Sequence, residues 1–247
     1  MMKDIWMFFA FPLNLLLAAL LVVGLLWLRK SFPNSRVVRH LQSSAATIIS
    51  VTLLILACIW VGLSGDRNFV QSVVFVVILL YIQSVLFLVT LRGWRRSDGK
   101  VRWRFLFLHA GLLLALGAGF WGSPDSSEYR IRLTVEETSR EAYQMDGNKV
   151  ILPYELSLDS MGIQYSDEGK MLDYEAFISV NGADPVLVEV NHPYGIRFGE
   201  DLYLASVSDD SCVLQIVREP WRYFALTGVI MMLAGAFLLF INGPKKR

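Results

Sequence analysis

Five long apolar segments dominate the sequence and limit the folds that it can adopt. A helix rises about 1.5 Å per residue, so about 20 apolar residues cross a hydrocarbon core roughly 30 Å thick. The segments that meet this length are residues 8–28, 45–63, 69–91, 103–121 and 221–241. Because 54% of the 247 residues are hydrophobic, a soluble globule is not expected. We therefore predict a membrane protein with an α-helical transmembrane bundle of about five spans.

Charged residues are divided unevenly along the chain, although the formal net charge is only +1. Residues 123–219 hold 19 of the 22 acidic residues and 7 of the 23 basic ones, which gives this segment a charge of −12 and the remainder +13. Such a division indicates two parts in different surroundings. We predict a membrane domain with four helices (1–122), an inserted extracytoplasmic all-β domain (123–219), and a fifth helix with a short basic tail (220–247).

The basic residues also predict an orientation. Four lie in residues 29–39, six in residues 92–104 and three in residues 245–247. Lys and Arg are retained on the cytoplasmic side during membrane insertion. We therefore expect a multi-pass protein of the cytoplasmic (inner) membrane, with its amino terminus outside, its carboxyl terminus inside and its β domain in the periplasm. All seven tryptophans lie at or near predicted helix ends, as an interfacial aromatic belt requires: Trp6, Trp27, Trp60, Trp94, Trp103, Trp121 and Trp221.

The acidic segment is predicted to form β-strands, because short runs rich in Val, Ile, Leu and Tyr alternate with turn residues. The runs are residues 129–135, 150–158, 174–180, 186–190, 201–207 and 212–217. Between them lie turn sequences such as Asp146-Gly147-Asn148 and Asn181-Gly182. At least six strands in a domain of this length predict a sandwich or a curled open sheet.

No enzymatic signature is present: the sequence lacks GxSxG, P-loop, HExxH and CxxC motifs. We predict no catalytic residue, and we interpret the many carboxylates as solvated surface charges. Nucleic-acid binding is not expected, because an acidic domain repels phosphate. Cys58 and Cys212 lie in different parts of the chain and are not expected to pair; Cys212 reads as a buried strand residue.

Three histidines remain as candidates. His40 lies among arginines of the first basic loop and reads as a solvated residue, and His192 precedes a proline and reads as a turn residue. His109 differs, because it lies inside a predicted span. An unpaired imidazole in hydrocarbon costs on the order of a few kcal/mol. His109 is therefore expected either to hydrogen-bond to another helix or to bind a metal, and the residues alone favour neither.

The helix that carries His109 has a face of small residues. Gly111, Ala115 and Gly119 recur every four residues, so another helix can pack closely there. His109 precedes Gly111 by two residues, which places it about 200° around the helix. If the small face packs within this chain, we expect His109 to face a neighbouring protein.

Four segments within roughly residues 101–242 occur in a characteristic order. They are FLHAGLLL, LPYELSLDSMGIQYSDEGKMLDYEAFISV, VEVNHPYGIRFGEDLYLAS and VLQIVREPWRYFALTGVIMMLAGAFLLF. The segments contain a strand with a Leu-Pro-aromatic sequence and then a turn with an Asn-x-Pro sequence. A Gly followed by a strand that contains Tyr comes next, and an acidic residue followed by Pro leads into the final helix. This order resembles the ResB-like family, the membrane component of the system II pathway that attaches haem to c-type cytochromes.

The resemblance implies an assembly factor, not an enzyme, that forms part of a haem lyase complex with its partner. The partner is a tryptophan-rich membrane protein of the same pathway, and the two move haem outward and present it to apocytochrome c. In the family, a histidine of the helix that enters the external domain is a proposed axial ligand of membrane-held haem. His109 matches that position, so the resemblance implies a haem-binding role for His109 as a ligand of the haem iron.

The chain departs from the family pattern in three respects. Its external domain is short, it has one span more than usual, and it lacks the tryptophan-rich segment of the partner. These departures leave open a divergent homologue, a split component, or a subunit retained beside a particular cytochrome system. Two functions of other classes also stay open. One is a structural membrane anchor of a respiratory or transport complex, with a β domain that docks a partner. The other, weaker one is a subunit of a quinol-oxidising enzyme, for which the predicted spans offer no carboxylate and no second histidine.

Overall fold

The computed structural model describes residues 9–64, 69–70, 72–135, 137–165, 171–208 and 210–242. The chain forms two compact units. One unit comprises the residues up to Asp125 together with those from Trp221 onward, and the other comprises Ser126–Pro220. The first unit is helical and the second is built of β-strands.

The helical unit contains six α-helices among the described residues. They are α1 (Leu13–Ser31), α2 (Arg36–Leu41), α3 (Ser44–Ser64), α4 (Val73–Gly93), α5 (Trp103–Gly122) and α6 (Arg222–Asn242). All except α2 are long and apolar enough to cross a membrane. The predicted fold class, a helical membrane part with an inserted β domain, is thus confirmed.

The ends of α1 and α4 follow local chemistry. Pro12 precedes the first residue of α1, where its missing N–H costs no helical hydrogen bond, so α1 begins at Leu13. The helix continues to Ser31, beyond the predicted residue 28, with Arg29 and Lys30 beside the negative end of its dipole. Ser72 caps α4, its hydroxyl oxygen accepting from the Phe75 N–H at 3.2 Å.

Glycines bring α5 and α6 into close contact. A Cβ atom at Gly111 would lie 2.6 Å from the carbonyl oxygen of Gly228, and a Cβ at Gly228 would lie 2.6 Å from the backbone nitrogen of Ala115. Only glycine permits backbones to approach this closely. Gly119, in contrast, has no atom within 4 Å of its Cβ position. The small-residue face therefore packs within this chain at Gly111 and Ala115 but not at Gly119.

The β unit is one antiparallel sheet of eight strands with the order β5-β4-β3-β2-β1-β8-β7-β6. The strands are β1 (Ser127–Thr134), β2 (Thr138–Gln144), β3 (Lys149–Tyr165), β4 (Met171–Val180), β5 (Val186–Glu189), β6 (Tyr194–Arg197), β7 (Glu200–Val207) and β8 (Ser211–Arg218). Each of the six predicted runs overlaps a strand, and two of them, 129–135 and 186–190, extend one residue beyond it. The sequence missed β2 and β6, because β2 offers only Ala142 as a fully buried apolar residue and β6 has only four residues.

The first and last strands are neighbours. β1 pairs with β8 along its whole length, from Ser127 opposite Arg218 to Thr134 opposite Ser211. β5 and β7 also contact each other, so the sheet curls. Alternate residues of the strands fill its concave side, as the two-residue period of a strand requires. This core includes Ile131, Leu133, Leu152, Tyr154, Leu156, Leu158, Ile178, Leu202, Leu214 and Ile216.

Candidate functional site

His109 lies in the first half of α5 and is partly buried. Its Nδ1 atom is 2.9 Å from the carbonyl oxygen of Phe105, one turn earlier in the same helix. A carbonyl oxygen only accepts hydrogen bonds, so Nδ1 carries the proton. The imidazole also stacks on the Phe105 ring, with ring centroids 3.8 Å apart. These two contacts fix the tautomer and the orientation of the ring, and they leave Nε2 with a lone pair.

Nε2 of His109 has no hydrogen-bond partner among the described residues. The expected bond to another helix is not formed; the histidine bonds to its own helix instead. Gly111 packs against α6, and His109 stands about 200° from Gly111 around α5. The ring therefore lies on the side of α5 away from α6.

The face of α5 that carries His109 continues into an apolar cavity. Leu116 and Phe120 follow His109 by about two and three helical turns, so the three residues share one stripe of the helix. Both line a cavity of about 320 Å³ between α3, α4 and α5, together with Leu54 and Leu79. An apolar surface thus extends from His109 toward the carboxyl end of α5.

A metal centre built from several side chains is not found. No group of three or more His, Cys, Asp or Glu residues that could hold a metal ion lies in the described part of the chain. Among the described residues, His109 thus belongs to no such group.

The other two histidines lie apart from His109 in sequence and environment. His40 lies in helix α2, not in a loop as expected, and its Nε2 is 3.1 Å from the Tyr81 hydroxyl. It is exposed, as its solvated interpretation requires. His192 follows β5 in a turn, its side chain 80% exposed, with Nδ1 3.9 Å from Oε2 of Glu189. Neither residue has the partly buried imidazole, held by a hydrogen bond and a ring contact within its own helix, that His109 has.

Asp125, which the sequence did not single out, is the centre of a hydrogen-bond cluster in the helical unit. Its carboxylate accepts from the Trp221 indole N–H at 2.6 Å, from Asn14 Nδ2 at 2.7 Å and from the Phe11 backbone N–H at 2.7 Å. Asn14 is only 1% exposed and also donates to the carbonyl oxygen of Trp121 at 2.8 Å. The cluster joins α1, α5 and α6. No local sequence pattern predicts this cluster, because Trp221 and Asn14 lie 96 and 111 positions from Asp125 in the sequence.

Glu200 corrects the prediction that the carboxylates of the β unit are solvated, because its side chain is only 3% exposed. Oε2 of Glu200 accepts from Arg197 Nε at 2.9 Å, and Oε1 accepts a short hydrogen bond from the Tyr154 hydroxyl. Burial and the carboxylate of Glu200 raise the pKa of Tyr154, and the same carboxylate raises the pKa of Arg197. This network links β3, β6 and β7 and reads as structural.

The two cysteines are free. Cys212 is 1% exposed in β8, and burial raises the pKa of its thiol to about 11, so it is a core residue, as the sequence predicts. Cys58 is exposed on α3. A thiol with a raised pKa is a poor nucleophile near neutral pH.

One family model matches part of the chain. Residues 100–213 match the model of the ResB-like family, which confirms the resemblance over α5 and most of the β unit. No curated protein matches the chain. A solved structure of "Cytochrome c Heme Lyase CcmF" is similar to it, with 12% identity and a TM-score of 0.43, over 76% of this chain and 33% of that one. The chain thus spans about a third of the length of that lyase chain. The family match supports a role in cytochrome c biogenesis.

Proposed function

We propose, from the match of residues 100–213 to the ResB-like family, that this chain acts in system II cytochrome c maturation. It helps to move haem across the membrane and to present it to apocytochrome c, together with a tryptophan-rich partner. The chain is an assembly factor and performs no chemistry by itself. It forms part of a haem lyase complex when the partner is present.

The hydrogen bond between His109 and Phe105 supports the part of this proposal that concerns the haem iron. Histidines that bind metals usually donate their other ring N–H to a carbonyl or carboxylate oxygen, which orients the ring. Nδ1 of His109 has such a partner in the Phe105 carbonyl oxygen, and Nε2 is free. Imidazole is a common axial ligand of haem iron. His109 therefore fits the role of a ligand of the haem iron.

A second ligand of the iron would come from the partner in this proposal. The described part of the chain has no cluster of metal-binding side chains, and His109 lies on the side of α5 away from α6. A haem held between two proteins explains both observations. When bound, the haem supplies the vinyl groups and iron of the attachment reaction, and the residues of this chain hold and orient it.

The β unit is proposed to lie in the periplasm and to dock the partner or the apocytochrome. This orientation rests on the basic residues of the segments 29–39 and 92–104, which favour the cytoplasmic side. The charge of −12 over residues 123–219 attracts a basic apocytochrome at long range. Association that weakens as salt rises supports this electrostatic docking, whereas association that is independent of salt contradicts it.

The test is the absorption spectrum of the chain co-purified with its membrane partners. We expect a haem Soret band in the wild type that is lost in His109→Ala and retained in His192→Ala, a matched control at an 80% exposed histidine. Added imidazole should restore the band in His109→Ala, because the free ligand replaces the missing side chain. A band that persists in His109→Ala would show that His109 does not bind the iron.

A structural membrane anchor is the second candidate. It is favoured by the same Phe105 hydrogen bond, which satisfies one imidazole nitrogen within the helix and lowers the cost of burying the ring. An anchor gives a colourless complex, and His109→Ala then changes its stability but not its spectrum. The spectrum of the complex therefore separates the two functions.

A further inference from the structure

The helical unit contains a second cavity, of about 390 Å³, between α1, α4, α5 and α6. Its lining is apolar apart from the amide of Gln83 and the indole N–H groups of Trp121 and Trp221. Both indoles are already satisfied: Trp121 donates to Gln83 Oε1 at 2.9 Å, and Trp221 donates to Asp125 Oδ2 at 2.6 Å. The remaining free polar group is the Nε2 amide of Gln83.

The orientation of the Gln83 amide is determined by Trp121. An indole N–H is a donor only, so the atom that it contacts must be the carbonyl oxygen of the amide. Nε2 therefore points away from Trp121 with two N–H donors. Gln83 is only 4% exposed, and Nε2 has no hydrogen-bond partner among the described residues. A buried amide without a partner is rare in folded proteins and is costly, so it needs an explanation.

Water does not provide a good explanation. A buried water usually makes about three hydrogen bonds and is held where two to four polar groups converge. The described lining of this cavity offers one free donor group, on Gln83, and the side chains around it include Leu25, Phe87 and Leu113. The site therefore matches a molecule that is largely apolar and carries a single hydrogen-bond acceptor.

The cavity also reaches the outer surface of the bundle. Two of its lining residues are exposed, Val22 by 39% and Phe224 by 50%. In a helix bundle that spans a membrane, such residues face lipid. A ligand can therefore enter from the lipid phase without crossing water. No Lys, Arg, His, Asp or Glu is among the lining residues, so the ligand must be uncharged where it contacts the cavity.

We propose that this cavity binds a lipid-soluble molecule that presents a carbonyl oxygen to Gln83 Nε2 and an apolar chain or ring to the walls. The cavity volume lies within the usual range of about 300–1,000 Å³ for ligand pockets. Four aromatic lining residues, Phe87, Trp121, Trp221 and Phe224, favour flat ring systems. The carbonyl has two possible sources in a membrane, the ring of a quinone and the ester of a phospholipid. This site is independent of His109 and of the proposed function.

The experiment compares the full chain purified in nanodiscs of native membrane lipid with three variants. Gly117→Leu fills the cavity, because Gly117 lines it and a Cβ there meets nothing nearer than 4.0 Å. Gln83→Leu removes the amide donor. Gly62→Leu is the matched control, because Gly62 has no atom within 4 Å of its Cβ position and does not line the cavity. Each protein is exchanged into detergent, and its bound small molecules are extracted and quantified by mass spectrometry.

We expect about one carbonyl-bearing molecule per chain in the wild type and in Gly62→Leu, as for a single pocket. Gly117→Leu should abolish retention, and Gln83→Leu should reduce affinity roughly fivefold, the effect of one neutral hydrogen bond. The mass of the retained molecule, that of a quinone or that of a phospholipid, distinguishes the two carbonyl sources. The proposal is overturned if all four proteins retain the same molecules, if the wild type retains none, or if the retained molecule is haem.

Discussion

Trp221 donates its indole N–H to the carboxylate of Asp125 across a distance of 2.6 Å and 96 positions of sequence. Asp125 is the last residue of the helical unit before the β unit begins, and Trp221 is the first residue after the β unit ends. The hydrogen bond therefore joins the two points between which the β unit is inserted. Asn14 of α1 donates a hydrogen bond to the same carboxylate, so α1 is joined to this point as well.

Replacing Asp125 with Asn should destabilise the helical unit. Its carboxylate accepts three hydrogen bonds, and a bond to a charged group contributes about 1.5–3 kcal/mol. The amide of Asn offers one oxygen and brings two donors toward groups that are donors themselves. We expect a loss of about 2–4 kcal/mol in the free energy of unfolding, measured by thermal unfolding of the helices in detergent. Asp98→Asn, at an exposed turn, is the control. Equal melting temperatures for both variants would contradict the role of Asp125.

Gly111 and Gly119 form a matched pair of sites on α5. Leu at position 111 would strike the backbone of Gly228, whereas Leu at position 119 has open space. Overpacking typically costs about 1–3 kcal/mol, and more where the obstacle is backbone. We expect Gly111→Leu to lower the melting temperature strongly and Gly119→Leu to have little effect. Similar losses in both variants would show that the two helices do not pack through Gly111.

Tyr154 predicts a pH dependence for the β unit. Its pKa is raised in the folded protein, so the neutral phenol is favoured by folding. The stabilisation is fully present below the unfolded pKa of about 10 and is lost as the pH rises toward the folded pKa. Tyr154→Phe should remove this alkaline loss and should cost about 1–2 kcal/mol near neutral pH, because the hydrogen bond to Glu200 is absent.

Unfolding of the β unit can be followed by the β-strand band of the infrared amide spectrum. All the described strands lie in this unit, and the described part of the helical unit has only an isolated bridge. The full chain is unfolded thermally between about pH 8 and pH 11, a range that spans the tyrosine pKa. Tyr203→Phe is the control, since Tyr203 is 37% exposed on β7. An alkaline loss of the same size in Tyr154→Phe would mean that another group titrates.

The proposed orientation is testable with single cysteines at exposed positions. Asn148 lies in the turn between β2 and β3, and Ser97 lies in the basic segment between α4 and α5. The outer membrane is first removed, and a membrane-impermeant thiol reagent is then applied to the cells while the inner membrane is still intact. The reagent should label Asn148→Cys at once and Ser97→Cys only after lysis. Buried Cys212 provides little background, and Cys58→Ser removes the other thiol. The opposite pattern would place the β unit in the cytoplasm.

Some features were predictable because they depend on residues close together in sequence. The length of an apolar run decides whether a helix can cross a membrane, and all five predicted spans correspond to helices. Alternation of apolar residues revealed six of the strands and the burial of Cys212. The two missed strands show the limit of this signal, since Thr138–Gln144 has polar residues where the pattern needs apolar ones. The match to the ResB-like family follows from the same local segments.

The sequence by itself thus determined the five long helices, six of the eight strands, and that His109 lies within a span. Tertiary structure decided which polar groups are paired. Gln83 meets Trp121 across 38 positions, Tyr154 meets Glu200 across 46, and Asp125 meets Trp221 across 96. Burial and hydrogen bonding depend on the atoms that surround a group, and those atoms come from helices and strands that are distant in the chain. For this reason only the folded chain distinguishes the satisfied Asp125 from the unpartnered Nε2 of Gln83.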